Sequence, residues 1–269
     1  LVMKAASANL TSVTLELGGK SPTVVDQTAN LKTSVERMVW GKHFNAGQTC
    51  IAPDYVLVPQ AKEEDFIEAY KNQVSKRYGK DPELSEDYTR IISDKHFARI
   101  KELLDDAVTK GAIVKVGGQT NATTRYIAPT LLTGVTSDMK IMQEEIFGPL
   151  MPVMTYRQLE EVPVIINSRP KALTMYINSK QQKNINYLID HTSSGGVVIN
   201  DYLLGYANPN LPFGGVNNSG IGKSLGHHGF LDFTNERGVI HRRFLDLAMV
   251  YPPYTDKVRK LVKMIYRWL

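Results

Sequence analysis

One cysteine, Cys50, stands in a segment whose composition suits a reactive thiol. It is the only cysteine of the 269 residues, and it follows Gly47, Gln48 and Thr49 between a predicted helix and a predicted strand. A thiol in such a loop is reachable, and the flanking backbone N–H groups can stabilise its thiolate. A free cysteine is also commonly a small buried apolar residue. Taken by itself, Cys50 is a candidate nucleophile with a structural alternative.

A carboxylate that could act as a general base lies at the end of the first predicted strand. Glu16 belongs to the alternating segment 13–17, which breaks at Gly18 and Gly19. Side chains at the end of a strand can face a cleft, and burial there would raise the pKa of a carboxyl group towards that of a useful base. The alternative interpretation is a surface or capping glutamate.

Two further segments contain residues that suit a flat ligand. Residues 143–149 place Glu145 near Phe147 and a Gly-Pro turn. An acid there can accept hydrogen bonds from ribose hydroxyls while the ring packs on a heterocycle. Residues 211–220 form a Gly-rich loop, which either lets backbone approach a ligand or simply makes turns. Each segment alone is compatible with an ordinary turn.

The chain that must position these groups alternates short apolar strands with amphipathic helices. The opening residues 1–9 have the pattern of the end of a helix. Further helices are predicted over 31–44, 66–74, 97–108 and 181–191, and strands over 13–17, 55–58, 113–116, 152–156, 173–177 and 197–200. This alternation is typical of an α/β fold built from crossover units.

Composition and charge exclude several classes of protein. With 42% hydrophobic and 22% charged residues, the chain can bury a sizeable core. It has no apolar run of about 18 residues that could span a bilayer. The lone cysteine forms no intrachain disulfide, which favours a reducing intracellular compartment. The net charge of +5 is concentrated in residues 237–269, which carry eight Lys and Arg against two Asp, so we expect no nucleic-acid partner.

The C-terminal segment is a predicted basic amphipathic helix that ends in Trp268 and Leu269. Its apolar positions follow helical spacing and its basic residues occupy the others: Val258, Leu261, Val262 and Ile265 against Lys257, Arg259, Lys260, Lys263 and Arg267. Such a helix suits peripheral membrane contact, docking on another protein, or packing on its own domain. Membrane contact predicts the cytosolic face of the endoplasmic reticulum or the mitochondrial outer membrane. Without it, a cytoplasmic location is expected.

Four segments taken together resemble the aldehyde dehydrogenase superfamily. In chain order they are Glu16-Leu17-Gly18-Gly19-Lys20, Gly47-Gln48-Thr49-Cys50, Glu144-Glu145-Ile146-Phe147-Gly148-Pro149 and Pro212-Phe213-Gly214-Gly215. The 34-residue step from Glu16 to Cys50 also matches the family's spacing between general base and nucleophile. Ala52-Pro53-Asp54-Tyr55 looks like the class-three branch, which includes fatty aldehyde dehydrogenases.

The resemblance implies the catalytic domain of the aldehyde dehydrogenase fold, an α/β architecture. A twisted, mostly parallel sheet flanked by helices would accompany a remnant of a Rossmann-type domain. The implied domains are 1–17 as the end of the cofactor-binding domain, 18–217 as the catalytic domain, 218–250 as a return segment with an oligomerisation strand at 238–243, and 251–269 as the basic helix. Full-length members assemble through that strand, which implies a homodimer.

The resemblance also implies NAD- or NADP-dependent oxidation of an aldehyde to a carboxylic acid. Cys50 would attack the aldehyde, and Glu16 would activate the water that releases the acid. Glu145 would hold the nicotinamide ribose and Phe147 would fix the nicotinamide, with Leu17 and Gly18 beside them. An apolar aldehyde tunnel, favouring long-chain or aromatic substrates, would include Tyr202, Leu203, Tyr206 and Phe213. No metal ligand is implied.

The sequence departs from the family because most of the cofactor-binding part lies outside these 269 residues. We therefore expect a shortened form that has the catalytic residues without full activity. Two other functions stay open at this point. His43, seven residues before Cys50, could make a cysteine hydrolase, and the chain could be a non-catalytic module that pairs with an intact subunit.

Overall fold

The computed structural model describes residues 1–243 and 251–267, which form two compact units, Leu1–Thr234 and Asn235–Leu269. Trp268 and Leu269 lie outside the described residues. Helices are numbered in chain order, and the longer ones of the first unit are α2 (Leu31–His43), α3 (Glu63–Tyr78), α4 (Asp94–Thr109) and α7 (Gln182–His191). Shorter ones are α1 (Val2–Ser7), α5 (Lys140–Gln143), α6 (Glu161–Asn167), α8 (Leu204–Ala207) and α9 (Gly226–Asp232). The second unit contains α10 (Asp256–Ile265).

The strands of the first unit pair into one large sheet and two small ones. In chain order they are β1 (Leu15–Glu16), β2 (Pro22–Val25), β3 (Tyr55–Pro59), β4 (Ile113–Val116), β5 (Thr120–Asn121), β6 (Tyr126–Ile127), β7 (Thr130–Thr133), β8 (Leu150–Tyr156), β9 (Thr174–Asn178), β10 (Gly196–Ile199) and β11 (Gly220–Ile221). The large sheet has the order β10-β9-β2-β3-β8-β7-β4. Only its β4–β7 pair is antiparallel. This confirms the predicted α/β class with a mostly parallel sheet.

The central strands are buried along their whole length, as expected for a parallel sheet that is covered on both faces. Every residue of β2, β3 and β9 is buried. The longer helices α2, α3, α4 and α7 each bury one face; α4, for example, buries Phe97, Ile100, Leu103, Leu104 and Ala107. The Ser93 side chain accepts a hydrogen bond from the His96 N–H and so caps the start of α4. Apolar periodicity therefore decides both which elements form and which face they bury.

The predicted strand at 238–243 is not observed: residues 235–243 adopt neither helix nor strand. Alternating side chains suit a strand, but its backbone also needs a hydrogen-bonding neighbour, and the described strands pair only among themselves. The last residues of the predicted return segment, 244–250, lie outside the described residues. A role for residues 238–243 in self-association stays a prediction. The first strand is also shorter than predicted, at Leu15–Glu16.

Candidate active site

The predicted functional segments meet at one edge of the large sheet, the edge at which its central parallel strands begin. Residues 16–20 precede β2, Cys50 lies before β3, and residues 145–148 precede β8. These three strands are neighbours and run parallel. The amino ends of parallel neighbours lie at the same edge of a sheet, so segments more than 90 residues apart in sequence come together there.

The loop that carries Cys50 is held in an unusual conformation. After α2 ends at His43, Asn45 and Ala46 adopt left-handed backbone angles, with φ of 51° each, and Gly47 follows with φ of 74°. A Cβ at Gly47 would lie 2.3 Å from the carbonyl oxygen of Gly148. Only glycine fits this contact, so the Cys50 loop packs directly against the turn that follows Phe147.

Gln48 fixes the same loop through both ends of its side-chain amide. Its Nε2 donates to the backbone oxygens of Asn45 and Arg90, at 3.0 and 3.1 Å, and its Oε1 accepts from the Ile92 N–H at 2.9 Å. Hydrogen bonds from both the nitrogen and the oxygen of the amide restrict the loop more than a single hydrogen bond would. Gln48 therefore prevents the cysteine from moving away from the sheet edge.

The Cys50 thiol is half-buried and lies in the field of two carboxylates. Burial raises its pKa, and the negative charges of Glu145 and then Glu16 raise it further, while the backbone N–H groups of Cys50 and Ile51 lower it. Both acids are therefore close enough to interact with the sulfur. In the free chain the thiol is protonated at neutral pH, so a reaction at this sulfur requires removal of its proton.

Glu16 is exposed at the end of β1, so the burial considered from the sequence is not present in this chain. It lies in β1, which pairs antiparallel with β11, so that Glu16 is opposite Gly220. The Ser224 hydroxyl donates a hydrogen bond to the Glu16 carboxylate, and the Leu17 N–H donates to the Ser219 oxygen at 3.0 Å. The Gly-rich segment that follows Phe213 thus supports the candidate base. Ser224 had no recognisable signal in the sequence.

Glu145 is a half-buried carboxyl group that accepts a hydrogen bond from the Gly19 N–H. Burial raises its pKa to about 7, with Asp54 adding to the rise and the Gly19 N–H, Lys20 and Arg99 opposing it. A Cβ at Gly18 would lie 2.6 Å from Glu145 Oε2, so glycine leaves the space that the carboxyl group occupies. At neutral pH this group is divided between its neutral and charged forms.

Phe147 and Leu17 present apolar surface beside that carboxyl group. Phe147 is 39% exposed and adopts a φ of 46°, and the Leu17 side chain is 56% exposed. A large exposed ring in a left-handed backbone conformation is uncommon and is maintained by its surroundings. An acceptor carboxyl group next to exposed apolar surface fits a ribose hydroxyl and a flat heterocycle, so the residues present suit a nicotinamide nucleotide.

An apolar cavity of about 220 Å³ is lined by residues of the Cys50 neighbourhood. Its lining includes Ile51, Leu173 and Phe213, the buried cluster on which Cys50 packs. Tyr206 also lines it and contacts Phe213 edge-on, with ring centroids 5.2 Å apart. Two of the four predicted tunnel residues, Tyr206 and Phe213, therefore face this cavity.

The other two predicted tunnel residues do not line this cavity, and the assignment of Tyr202 to the tunnel is corrected to the main core. Tyr202 is fully buried in the main core, where Asn178 Nδ2 donates to its hydroxyl at 2.8 Å. A tyrosine whose hydroxyl finds a partner inside the protein is stable in the core, and this one does not line the cavity. Leu203 is half-buried and packs on the cluster of Phe213 and Cys50.

His43 lies in a position that does not suit a hydrolase. Its ring is buried, its Nε2 pairs with the Tyr70 hydroxyl at 2.6 Å, and the rings of Tyr78 and Tyr88 pack edge-on against it. Burial lowers its pKa well below the usual range, as does the adjacent positive charge of Lys42. The structure therefore places His43 in an aromatic core pocket, engaged with Tyr70, and not in hydrogen-bonding contact with the Cys50 sulfur.

Buried charges near the thiol were missed by sequence reasoning, although two lie within the segments that carry the resemblance. Lys20 and Asp54 form an ion pair in which both side chains are nearly inaccessible. Lys42 is also buried, and burial lowers its pKa to about 8, opposed by the charges of Asp54 and Glu145. A charged residue inside an otherwise apolar segment would have been a signal for these groups.

Comparison with known proteins gives a consistent result. The profile of the aldehyde dehydrogenase family matches residues 1–239. Aldehyde dehydrogenase family 3 member A2 of Rattus norvegicus is 46% identical over 237 residues, which are 88% of this chain and 48% of that protein. The dimeric NADP-preferring aldehyde dehydrogenase of the same species is 45% identical over 261 residues, which are 96% of this chain and 56% of that protein.

The fold comparison agrees with the sequence comparison. The substrate-bound state of Staphylococcus aureus AldH superposes with a TM-score of 0.93 and 44% identity, and the match covers 98% of this chain and 57% of that chain. The chain thus spans about half the length of the curated relatives it matches. The family match, the identities and the shared fold confirm the resemblance: this chain belongs to the aldehyde dehydrogenase family.

Proposed function

We propose that this chain provides the catalytic groups for NAD(P)-dependent oxidation of an aldehyde to a carboxylic acid. The observation that carries the proposal is a half-buried thiol whose pKa is raised by two carboxylates, Glu145 and Glu16, and which packs on a buried cluster that also lines an apolar cavity. A nucleophile, a general base and an acceptor for a ribose hydroxyl are the groups that this chemistry requires.

The chain's own residues account for the covalent steps. The Cys50 sulfur adds to the aldehyde carbon and gives a thiohemiacetal, while the Cys50 and Ile51 N–H groups, which also favour the thiolate, can stabilise the negative oxygen. Loss of a hydride and a proton converts this adduct to a thioester. Glu16 then takes a proton from water, which attacks the thioester, and the acid leaves as the Cys50 thiol is restored.

A nicotinamide dinucleotide supplies the hydride acceptor when bound. On this chain, Glu145 would accept hydrogen bonds from the nicotinamide ribose, and Phe147 with Leu17 would offer apolar surface to the ring. Gly18 leaves room for the carboxyl group in that position. One relative is named NADP-preferring, so we propose that either NAD or NADP serves.

We propose a long-chain or aromatic aldehyde as the substrate. The support is the cavity next to Cys50, whose lining is dominated by apolar and aromatic side chains, among them Ile51, Leu173, Tyr206 and Phe213. Each methylene group of a substrate that is buried against such a surface contributes about 0.8 kcal/mol to the free energy of binding. A short aldehyde would bury little of it.

The test follows the aldehyde through both halves of the reaction. We expect decanal and benzaldehyde to protect Cys50 from iodoacetamide, and to do so at lower concentrations than acetaldehyde. We also expect the carboxylic acid that forms when NAD or NADP is added to be matched by an equal amount of reduced nicotinamide, at a rate below that of a full-length family member, as the sequence predicts. Mass spectrometry of the alkylated cysteine and the absorbance of the reduced nicotinamide give the two readings. A thiol that no aldehyde protects, with no acid formed, would contradict the proposal.

The second unit supports a separate proposal, peripheral contact with an anionic membrane through α10. No residue of α10 is buried, and its apolar stripe of Val258, Leu261, Val262 and Ile265 lies between basic residues. In the described part of the chain, no helix has the length and apolarity required to cross a bilayer. An exposed amphipathic helix with a basic face suits the surface of an anionic bilayer.

Sedimentation with liposomes measures this contact. We expect the chain to bind vesicles containing phosphatidylserine, with binding that weakens at high salt and is lost when residues 256–269 are deleted. Reversing two charges in Lys260→Glu/Lys263→Glu should lower the affinity by about tenfold or more, since each basic residue near such a surface contributes about 1 kcal/mol. Equal binding to neutral phosphatidylcholine vesicles would contradict an electrostatic membrane contact.

A further inference from the structure

A buried ion pair links the three segments that carry the proposed chemistry. Lys20 comes four residues after Glu16, Asp54 comes four residues after Cys50, and their side chains form a salt bridge inside the protein. Each partner therefore stands just behind one of the two proposed catalytic residues. The pair ties the loop before β2 to the loop before β3.

The same pair also holds the backbone that carries Glu145. Lys20 Nζ donates to the Ile141 oxygen at 2.6 Å and to the Glu144 oxygen at 3.0 Å. Asp54 Oδ2 accepts from the Ile146 N–H at 2.8 Å. The pair thus binds the residues on both sides of Glu145 and leaves its side chain free to face the site.

A third charged residue holds this segment from the outside. Arg99, on α4, donates from one guanidinium nitrogen to the Glu145 oxygen at 3.1 Å and from the other to the Ile146 oxygen. The segment between α5 and β8 is thereby restrained from two sides by charged hydrogen bonds, which are stronger than neutral ones.

We propose that Lys20 and Asp54 are positioning residues, which set the distance between the Glu145 carboxyl group and the Cys50 sulfur by holding residues 141–146 against the loops of Glu16 and Cys50. A buried ion pair is weak evidence for stability, since its desolvation cost offsets the attraction. Its contribution here is geometric, because it fixes three loops at one edge of the sheet relative to one another. The inference rests on the proposed role of Glu145 towards the dinucleotide.

The single cysteine of the chain provides a direct reading of this geometry. The charge of Glu145 raises the pKa of the Cys50 thiol, so Glu145→Gln should increase the rate of alkylation by iodoacetamide. At pH 8, above the pKa of Glu145 of about 7, we expect an increase of about twofold to fivefold, as for a partly screened charge pair. This increase measures how close the carboxylate is to the sulfur.

The test is a double-mutant cycle that combines Glu145→Gln with Lys20→Met/Asp54→Leu, which removes both charges together. A cycle separates the coupling between Glu145 and the Lys20–Asp54 pair, measured as the alkylation rate of Cys50, from the direct effect of each substitution. We expect the Glu145→Gln increase to fall to nearly nothing in the Lys20→Met/Asp54→Leu background. An increase equal to that in the native background would overturn the proposal.

Two comparisons separate positioning from general stability. Lys101→Met/Asp105→Leu makes the same replacements in an exposed pair on α4 and should leave the Glu145→Gln effect unchanged. If Lys20→Met/Asp54→Leu does not fold, as judged by circular dichroism, Asp54→Asn replaces it, because asparagine retains an acceptor for the Ile146 N–H and removes only the charge. We then expect a reduced Glu145→Gln effect and a recovery in Lys20→Arg, which keeps the ion pair; an undiminished effect in Asp54→Asn would again overturn the proposal.

The alkylation reading needs neither aldehyde nor dinucleotide. A chain that shows the expected cycle but oxidises no aldehyde would therefore support the positioning pair and contradict the proposed function. A chain that oxidises aldehydes but shows the same Glu145→Gln effect in every background would support the proposed function and contradict the positioning pair.

Discussion

Replacing Cys50 with alanine is expected to abolish formation of a covalent acyl intermediate and to lower the rate of acid formation from an aldehyde by about 10³-fold or more. The reason is that the carbon must bond to a sulfur, and Cys50 is the only cysteine in the sequence. Its side chain packs on Phe213 and Leu173, which also line the apolar cavity. An alanine keeps the packing and removes the nucleophile.

The intermediate can be tested without a dinucleotide, by using an activated ester. We expect p-nitrophenyl acetate to give a rapid release of one p-nitrophenol per native chain, with an acetyl group attached to Cys50 in the mass spectrum. Thr49→Ala, a change in the same loop, should retain this release. A release that persists in Cys50→Ala, or an acetyl group on another residue, would contradict the role of Cys50.

Replacing Glu16 with glutamine is expected to leave the rapid release intact and to slow the steady state that follows by about 10²- to 10⁴-fold, the usual effect of removing a general base. Glutamine has nearly the same shape and can still accept a hydrogen bond from the Ser224 hydroxyl. It cannot take a proton from water. The acetyl thioester should therefore form on Cys50 and accumulate.

The measurement is the ratio of the first turnover to later ones, with the acetylated fraction followed by mass spectrometry. Ser224→Ala provides the comparison, because it removes a hydrogen bond to the Glu16 carboxylate without removing the base, and it should slow later turnovers much less. Native rates of thioester hydrolysis in Glu16→Gln would exclude Glu16 as the base and leave the nucleophile unaffected.

Most of the fold could be predicted from apolar periodicity, because the elements around the sheet are amphipathic or wholly apolar. The helix predicted over 31–44 is observed at Leu31–His43, and the one over 181–191 at Gln182–His191. The late strand predicted at 238–243 is not observed in the single chain, and its role in self-association stays a prediction. Its alternation specifies two faces, but strand formation also depends on a neighbouring strand, which the sequence of the segment does not encode.

The candidate site was predicted from its motifs, and its supporting contacts were not. Cys50 and Glu16 stand in short segments that resemble a family, so their types and spacing were informative. The Lys20–Asp54 pair and the Ser224 contact depend on distances between segments that are 34 and more than 200 residues apart. Tyr202 was assigned to the tunnel because its amphipathic ring suits a tunnel and a core equally well, and its core partners Asn178 and Tyr176 are distant in sequence.

The location of the chemistry at the amino ends of β2, β3 and β8 leaves the opposite ends of these strands free for engineering. The segments there, such as the 3₁₀ helix Gln60–Lys62 after β3 and the turn at 157–160 after β8, hold none of the groups proposed to react. A reporter peptide or an affinity handle grafted into residues 157–160 would extend from the far side of the sheet. Such an insertion should leave the reactive edge unaltered, which makes this turn a practical attachment point for immobilising the protein.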